Sequence, residues 1–144
     1  MDLLEALRRR LERDVTQAQE FFHIRPVRNA QGLIHRLHVE MSGVVGDGSH
    51  ARMDYWLLVT LDGYPFACPK VWVEKPLEQR ICHLNIWRPQ KPMNLPEVCL
   101  SASLRFQDDW EAKRIPSEER NITGLLRQVA FTLNNENTHS KARE

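Results

Sequence analysis

The run Leu33-Ile34-His35-Arg36-Leu37-His38-Val39-Glu40-Met41-Ser42 sets Leu33, His35, Leu37, Val39 and Met41 on one face and Ile34, Arg36, His38, Glu40 and Ser42 on the other. A period of two is that of a β-strand with one buried face. The turn cluster Gly46-Asp47-Gly48-Ser49 follows, and Met53, Tyr55, Leu57, Val59 and Leu61 then resume the alternation, which predicts a hairpin. A shorter strand around Phe22 to Arg28, closed by Asn29-Ala30-Gln31-Gly32, is expected to pair on the other side. Val71-Trp72-Val73 supplies a fourth strand after the turn-rich Asp62-Gly63-Tyr64-Pro65. These runs predict a four-stranded antiparallel meander.

Toward the N-terminus the period lengthens. Leu3, Leu4, Leu7, Leu11, Val15, Ala18 and Phe22 recur at three- and four-residue steps, which predicts an amphipathic helix of about twenty residues, with Asp2 able to cap it. Its other face carries Arg8, Arg9, Arg10 and Arg13 beside Glu5, Glu12 and Asp14, the pattern of a solvated helix surface or of a docking face. Toward the C-terminus, Ser117-Glu118-Glu119 reads as a helix start with acids at its positive end, and Ile122, Leu125, Leu126, Val129, Ala130 and Leu133 form its buried stripe. The polar residues 134–144 are expected to fray. The fold class is therefore α+β, in one domain spanning residues 1–144.

Between Lys75 and Pro116 no periodicity is visible, and Pro76, Pro89, Pro92, Pro96 and Pro116 argue against a long helix or a central strand. The segment predicts a long irregular loop. It is nevertheless rich in Trp87, Val98, Leu100, Leu104, Phe106 and Trp110, which need a surface to pack on. Long ordered loops of this kind are usually functional.

Composition excludes several classes. Twenty basic and nineteen acidic residues give a net charge of +1, too small a field to hold a polyanion, so nucleic acid is not expected as a partner. No stretch has the roughly 18 apolar residues of a membrane span, and the start of the chain lacks the order of a secretory signal, so a cytoplasmic protein is expected. Three cysteines, Cys68, Cys82 and Cys99, form neither a disulfide framework nor a paired metal knuckle.

His35 and His38 stand at an odd offset on one strand, so they point to opposite faces and cannot share a metal. Cys82-His83 with Cys99 offers three soft ligands but no closed four-ligand zinc set, and no metal or organic cofactor is expected. Cys68 lies in Pro65-Phe66-Ala67-Cys68-Pro69 and Cys82 follows Ile81, so both read as small core hydrophobes. Cys99, in Pro96-Glu97-Val98-Cys99-Leu100-Ser101, sits late in the irregular segment, where a loop can present a thiol.

Taken in order, Tyr64-Pro65-Phe66, Pro69-Lys70-Val71, His83-Leu84-Asn85-Ile86, Val98-Cys99-Leu100 and Trp110 resemble the ubiquitin-conjugating enzyme family over roughly residues 3 to 133. Some features depart from the family's pattern. Leu84 stands where the family has proline, and Asn85 precedes Cys99 by 14 positions, farther than usual, the extra residues falling in 87–94. Trp110 is also somewhat farther from the cysteine, and one helix follows where most members have more. That short end resembles the Ufm-type conjugating enzyme and the bacterial members found in ubiquitin-like antiphage operons.

The resemblance implies a cytosolic enzyme that accepts a ubiquitin-like protein as a thioester on Cys99 from an activating enzyme and passes it to an amine on a protein target. It implies that Asn85 donates to the tetrahedral oxyanion and that His83 supports the loop. Asp108 and Asp109 are candidates for helping an incoming lysine, or simply a solvated turn. Arg8, Arg9, Arg10 and Arg13 are implied to meet the activating enzyme, and Tyr64 and Phe66 to form a ligase-facing loop, in a monomer or a complex with its activating enzyme. The alternatives are a non-catalytic binding module on the same fold and a zinc-dependent hydrolase.

Overall fold

The computed structural model describes residues 2–100 and 105–144. Helix α1 (Leu3–Ala18) starts where the Asp2 carboxylate accepts the Glu5 N–H at 2.7 Å and ends at a Gln19 cap, short of Phe22. Its buried stripe is Leu11, Val15 and Ala18, together with one acid, Asp14. Strands β1 (His23–Arg28), β2 (Ile34–Gly46), β3 (Ser49–Thr60) and β4 (Lys70–Lys75) follow as the expected meander, each antiparallel to the last.

Register decides which residues enter the core. Leu37 pairs with Val59, Val39 with Leu57 and Met41 with Tyr55, and Val59 and Leu57 pair onward with Val71 and Val73. All eight are buried on the face covered by α1 and by α3 (Ile122–Asn134). The opposite face is partly sealed by Trp72, whose indole N–H donates to Thr60 Oγ1 at 3.1 Å. There too His38 Nδ1 lies 2.8 Å from Glu74, while His35 points the other way. α3 lies close on β2 because Gly43 has no side chain: a Cβ there would stand 2.8 Å from the Leu133 Cβ.

The segment expected to be an irregular loop holds more structure than its prolines suggest. Strands β5 (Ile86–Gln90) and β6 (Leu95–Val98) form a hairpin, and β6 joins β4 through the pair Trp72 and Glu97, so the sheet has six strands in the order β1-β2-β3-β4-β6-β5. Pro89 is tolerated because β5 is the edge strand. A short helix, α2 (Phe106–Glu111), follows, and of the apolar residues in this segment Val98, Leu100 and Trp110 are buried while Trp87 stays partly exposed. Leu104 lies outside the described residues.

Two further expectations are corrected. α3 begins at Ile122 rather than Ser117, because Asn121 caps it by accepting the Gly124 N–H at 2.9 Å, while Glu119 and Arg120 turn back on Pro116. Residues 135–144, expected to be a loose end, make specific contacts with the rest of the chain. They fold back over the loop preceding β5, with Ala142 buried and Arg143 reaching Glu78 and the Ile86 carbonyl. Among the described residues no helix is long and apolar enough to cross a membrane.

Candidate functional site

The loop His83-Leu84-Asn85 is pinned from below by the β2–β3 turn. Gly46 bridges Cys82, and a Cβ at position 46 would stand 2.4 Å from the His83 Cα, so only glycine lets the two backbones meet. His83 is fully buried and both ring nitrogens are used. Nδ1 accepts the Asn85 N–H at 3.1 Å, which leaves Nε2 as the protonated nitrogen, donating to the Leu133 carbonyl at 3.1 Å. Burial pushes its pKa down, outweighing the opposing effects of the Leu133 carbonyl and of Glu136. His83 is therefore a neutral brace between loop and helix, and a general base is not available from it.

Asn85 meets Cys99 through the hairpin. Ile86 pairs with Val98 at its base, and the next hydrogen bond inward is from the Cys99 N–H to the Asn85 carbonyl, at 2.8 Å. The extra residues 87–94 thus project as the far part of the hairpin instead of separating the two motifs. Cys99 is partly buried, between buried Val98 and Leu100. Asn85 itself is only 1% exposed, and its Oδ1 accepts the Asn137 N–H from the C-terminal tail at 2.7 Å.

The tail residues gave no signal in the sequence. Glu136 Oε2 accepts the N–H groups of Asp47 at 2.7 Å and Leu84 at 2.8 Å, and Oε1 that of Gly48 at 3.0 Å, which joins the β2–β3 turn to the His83–Asn85 loop. Burial opposes its charge, but the donors from Gly48, Leu84 and Asp47 prevail and hold the carboxyl below its ordinary range. A single acid in a polar tail has no periodicity that would mark it.

The other candidate residues divide by exposure. Cys68 is buried, and burial, with a smaller effect of Glu111, pushes its thiol up to about 12. Cys82, expected in the core, is instead exposed: its backbone faces Gly46 and its side chain lines a surface hollow with Glu78, Arg88 and Arg143. Tyr64, expected to face a partner, is 3% exposed and donates its hydroxyl proton to buried Asp14; it packs on Trp110, whose indole N–H donates to the Pro65 carbonyl at 2.8 Å. Phe66 alone of that pair faces solvent, at 78%.

On α1, Arg10 is committed to Asp14 and the Arg120 carbonyl, and Arg8 to Glu5 and the Gln31 carbonyl. Arg9 and Arg13 are the exposed members, paired with Glu5 and Asp14. Asp108 and Asp109, expected in a turn, lie on helix α2 instead, where they pair with Arg105 and Arg114. Among the described residues no group of three His, Cys, Asp or Glu side chains could hold a metal ion, and the nitrogens of His83 are already engaged. No protein-family model matches this chain, and no curated protein matches it.

Proposed function

We propose that this chain is a ubiquitin-like protein conjugating enzyme on a ubiquitin-conjugating-type fold, with Cys99 as its carrier. The observation that supports the reading most is the 2.8 Å hydrogen bond between the Cys99 N–H and the Asn85 carbonyl. It brings together, backbone to backbone, two motif residues separated by 14 positions, one of them a partly buried thiol.

In the first step the Cys99 thiolate attacks the thioester carbonyl presented by an activating enzyme, and the collapse of the tetrahedral adduct expels that enzyme's thiolate. In the second an amine attacks the Cys99 thioester, forms the amide, expels the Cys99 thiolate and loses its proton to solvent. Thiolate serves as nucleophile and as leaving group, so no cofactor is required. With its oxygen held by the tail, Asn85 has its amide N–H left to offer the oxyanion of the second transfer, the attack of the amine, an interaction worth on the order of 10² to 10³ in rate. Exposed Arg9 and Arg13 are the α1 residues available to an activating enzyme, and Phe66 to a ligase. From the motif resemblance we assign the pathway to bacterial antiphage conjugation.

The test supplies a glycine-ended peptide as its 2-mercaptoethanesulfonate thioester, which transfers to a reactive cysteine without an activating enzyme. The expected result is a thiol-sensitive adduct on a non-reducing gel, lost in Cys99→Ala and kept in Cys68→Ala and Cys82→Ala. If the three variants behave alike, Cys99 is not the carrier and the non-catalytic binding module becomes the better reading. Asn85→Ala should still load and should discharge to free lysine more slowly.

A further inference from the structure

We propose that the C-terminal tail is part of the reaction machinery: Glu136 and the Asn137 backbone N–H are positioning groups that orient the Asn85 amide for the oxyanion. The inference rests on the carrier reading and goes beyond it, because it assigns a role to a segment the motifs do not reach.

A primary amide has two ends of similar shape and opposite polarity, and a 180° rotation of its terminal torsion exchanges them. An oxyanion is stabilised by the nitrogen end and repelled by the oxygen end. Among the described residues, what fixes the choice is the Asn137 N–H at 2.7 Å from Oδ1. That donor accepts no alternative, since an N–H cannot bond the NH₂ end. Asn85 is 1% exposed, so water does not compete for the oxygen as it would at the surface.

The donor is itself held in place from both sides. One residue before it, the Glu136 carboxylate takes three backbone N–H groups from Asp47, Gly48 and Leu84, the last being the residue next to Asn85. Farther along, Arg143 bonds Glu78 at 2.6 Å and the carbonyl of Ile86, the residue that follows Asn85, at 3.1 Å. The backbone on both sides of Asn85 is therefore tied to the same ten-residue tail that supplies the donor to its side chain. Positioning errors of about 1 Å at a reacting centre cost on the order of 10²-fold in rate.

The experiment compares Asn137→Pro, which removes the N–H, with Asn137→Ala, which keeps it. Both are loaded with the glycine-ended peptide thioester of 2-mercaptoethanesulfonate and discharged to free lysine. The expected result is that Asn137→Pro loads close to the wild-type rate but discharges about 10- to 100-fold more slowly than Asn137→Ala. Combining it with Asn85→Ala should add no further loss. Glu136→Gln, as a second variant that keeps the residue's shape, should show a smaller discharge defect with loading retained.

Equal discharge by the Pro and Ala variants, or losses that multiply with Asn85→Ala, would overturn the tail's role and leave the carrier reading standing. Absence of a Cys99 adduct in the wild-type chain would overturn the carrier reading and the catalytic role of the tail with it. Should Asn137→Pro fail to fold, ¹⁵N spectra of Glu136→Gln decide: the Asn85 side-chain NH₂ pair should exchange faster with solvent than in wild type, and an unchanged pair would overturn the inference.

Discussion

Gly46 and His83 meet backbone to backbone: a methyl group on residue 46 would stand 2.4 Å from the His83 Cα and 2.6 Å from its nitrogen. Neither atom can swing aside as a side chain would, and Gly46 also has a φ of +107°. Gly46→Ala should therefore lower stability by more than about 2 kcal/mol, in the range of substitutions that force backbone to move. Gly48→Ala is the matched control, with a φ of +79° and open space within 4 Å, and should cost only the about 1–2 kcal/mol of left-handed backbone. Urea midpoints of the two variants give the comparison.

Acidification should weaken the fold through His83. Burial lowers its folded pKa from the ordinary 6.5, so below that value the unfolded chain takes up a proton that the folded chain refuses. Stability is thus complete above about pH 6.5 and declines as pH falls from there. Urea midpoints measured at pH 7.5 and 5.5 should drop for the wild type, and the drop should be smaller in His83→Gln, which has no proton to gain.

Glu136 makes a separate contribution at lower pH. Its carboxyl is held below its ordinary 4.5 by the N–H groups that outweigh burial, so its stabilisation is present above that pH and fades as pH falls through the lowered folded value. The wild type should lose more than Glu136→Gln between pH 5 and pH 3, read again as the urea midpoint.

The three thiols should separate by reactivity. Iodoacetamide at pH 8 should modify exposed Cys82 and partly buried Cys99 in the native protein, and should spare Cys68, whose thiol burial pushes up to about 12. Mass spectrometry should find Cys68 modified only after unfolding in urea.

Tyr64→Phe should cost about 1–2 kcal/mol, because it takes one donor from an almost fully buried carboxylate while leaving Arg10 and Arg13 in place. Phe66→Ala, on the exposed neighbour, should leave the urea midpoint within about 0.5 kcal/mol of wild type.

What could be read from the sequence was whatever repeats at a fixed step. The β2–β3 hairpin announced itself through Leu37, Val39, Tyr55 and Leu57, and α1 through Leu11 and Val15, because one buried face imposes a period. β5 and β6 gave no such signal: they are five and four residues long, are interrupted by Pro89 and Pro96, and are held by pairing to each other more than to the sheet. Cys99 and Asn85 stood out only through the order of short motifs, while the reach of the hydrogen bond between them depends on a hairpin the prolines concealed. Cys82 went wrong because an apolar neighbour says nothing about which way a loop residue faces. Tyr64 did so because its partner, Asp14, lies 50 positions away on another element. Glu136 accepts the N–H groups of Asp47, Gly48 and Leu84, and Asn137 donates its own to Asn85, and backbone donors leave no trace in residue identity.

The hairpin between Asn85 and Cys99 also separates a stem that sets a distance from a tip that does not. Because Ile86 and Val98 close its base and Gln90 pairs with Leu95 above it, the turn at 91–94 can be lengthened or exchanged without moving the backbone bond between Asn85 and Cys99. Closing a longer arm adds only about 0.6 kcal/mol per doubling of its length. The stem holds Asn85 and Cys99 in register whatever the tip carries, which makes the tip the place to graft a new sequence.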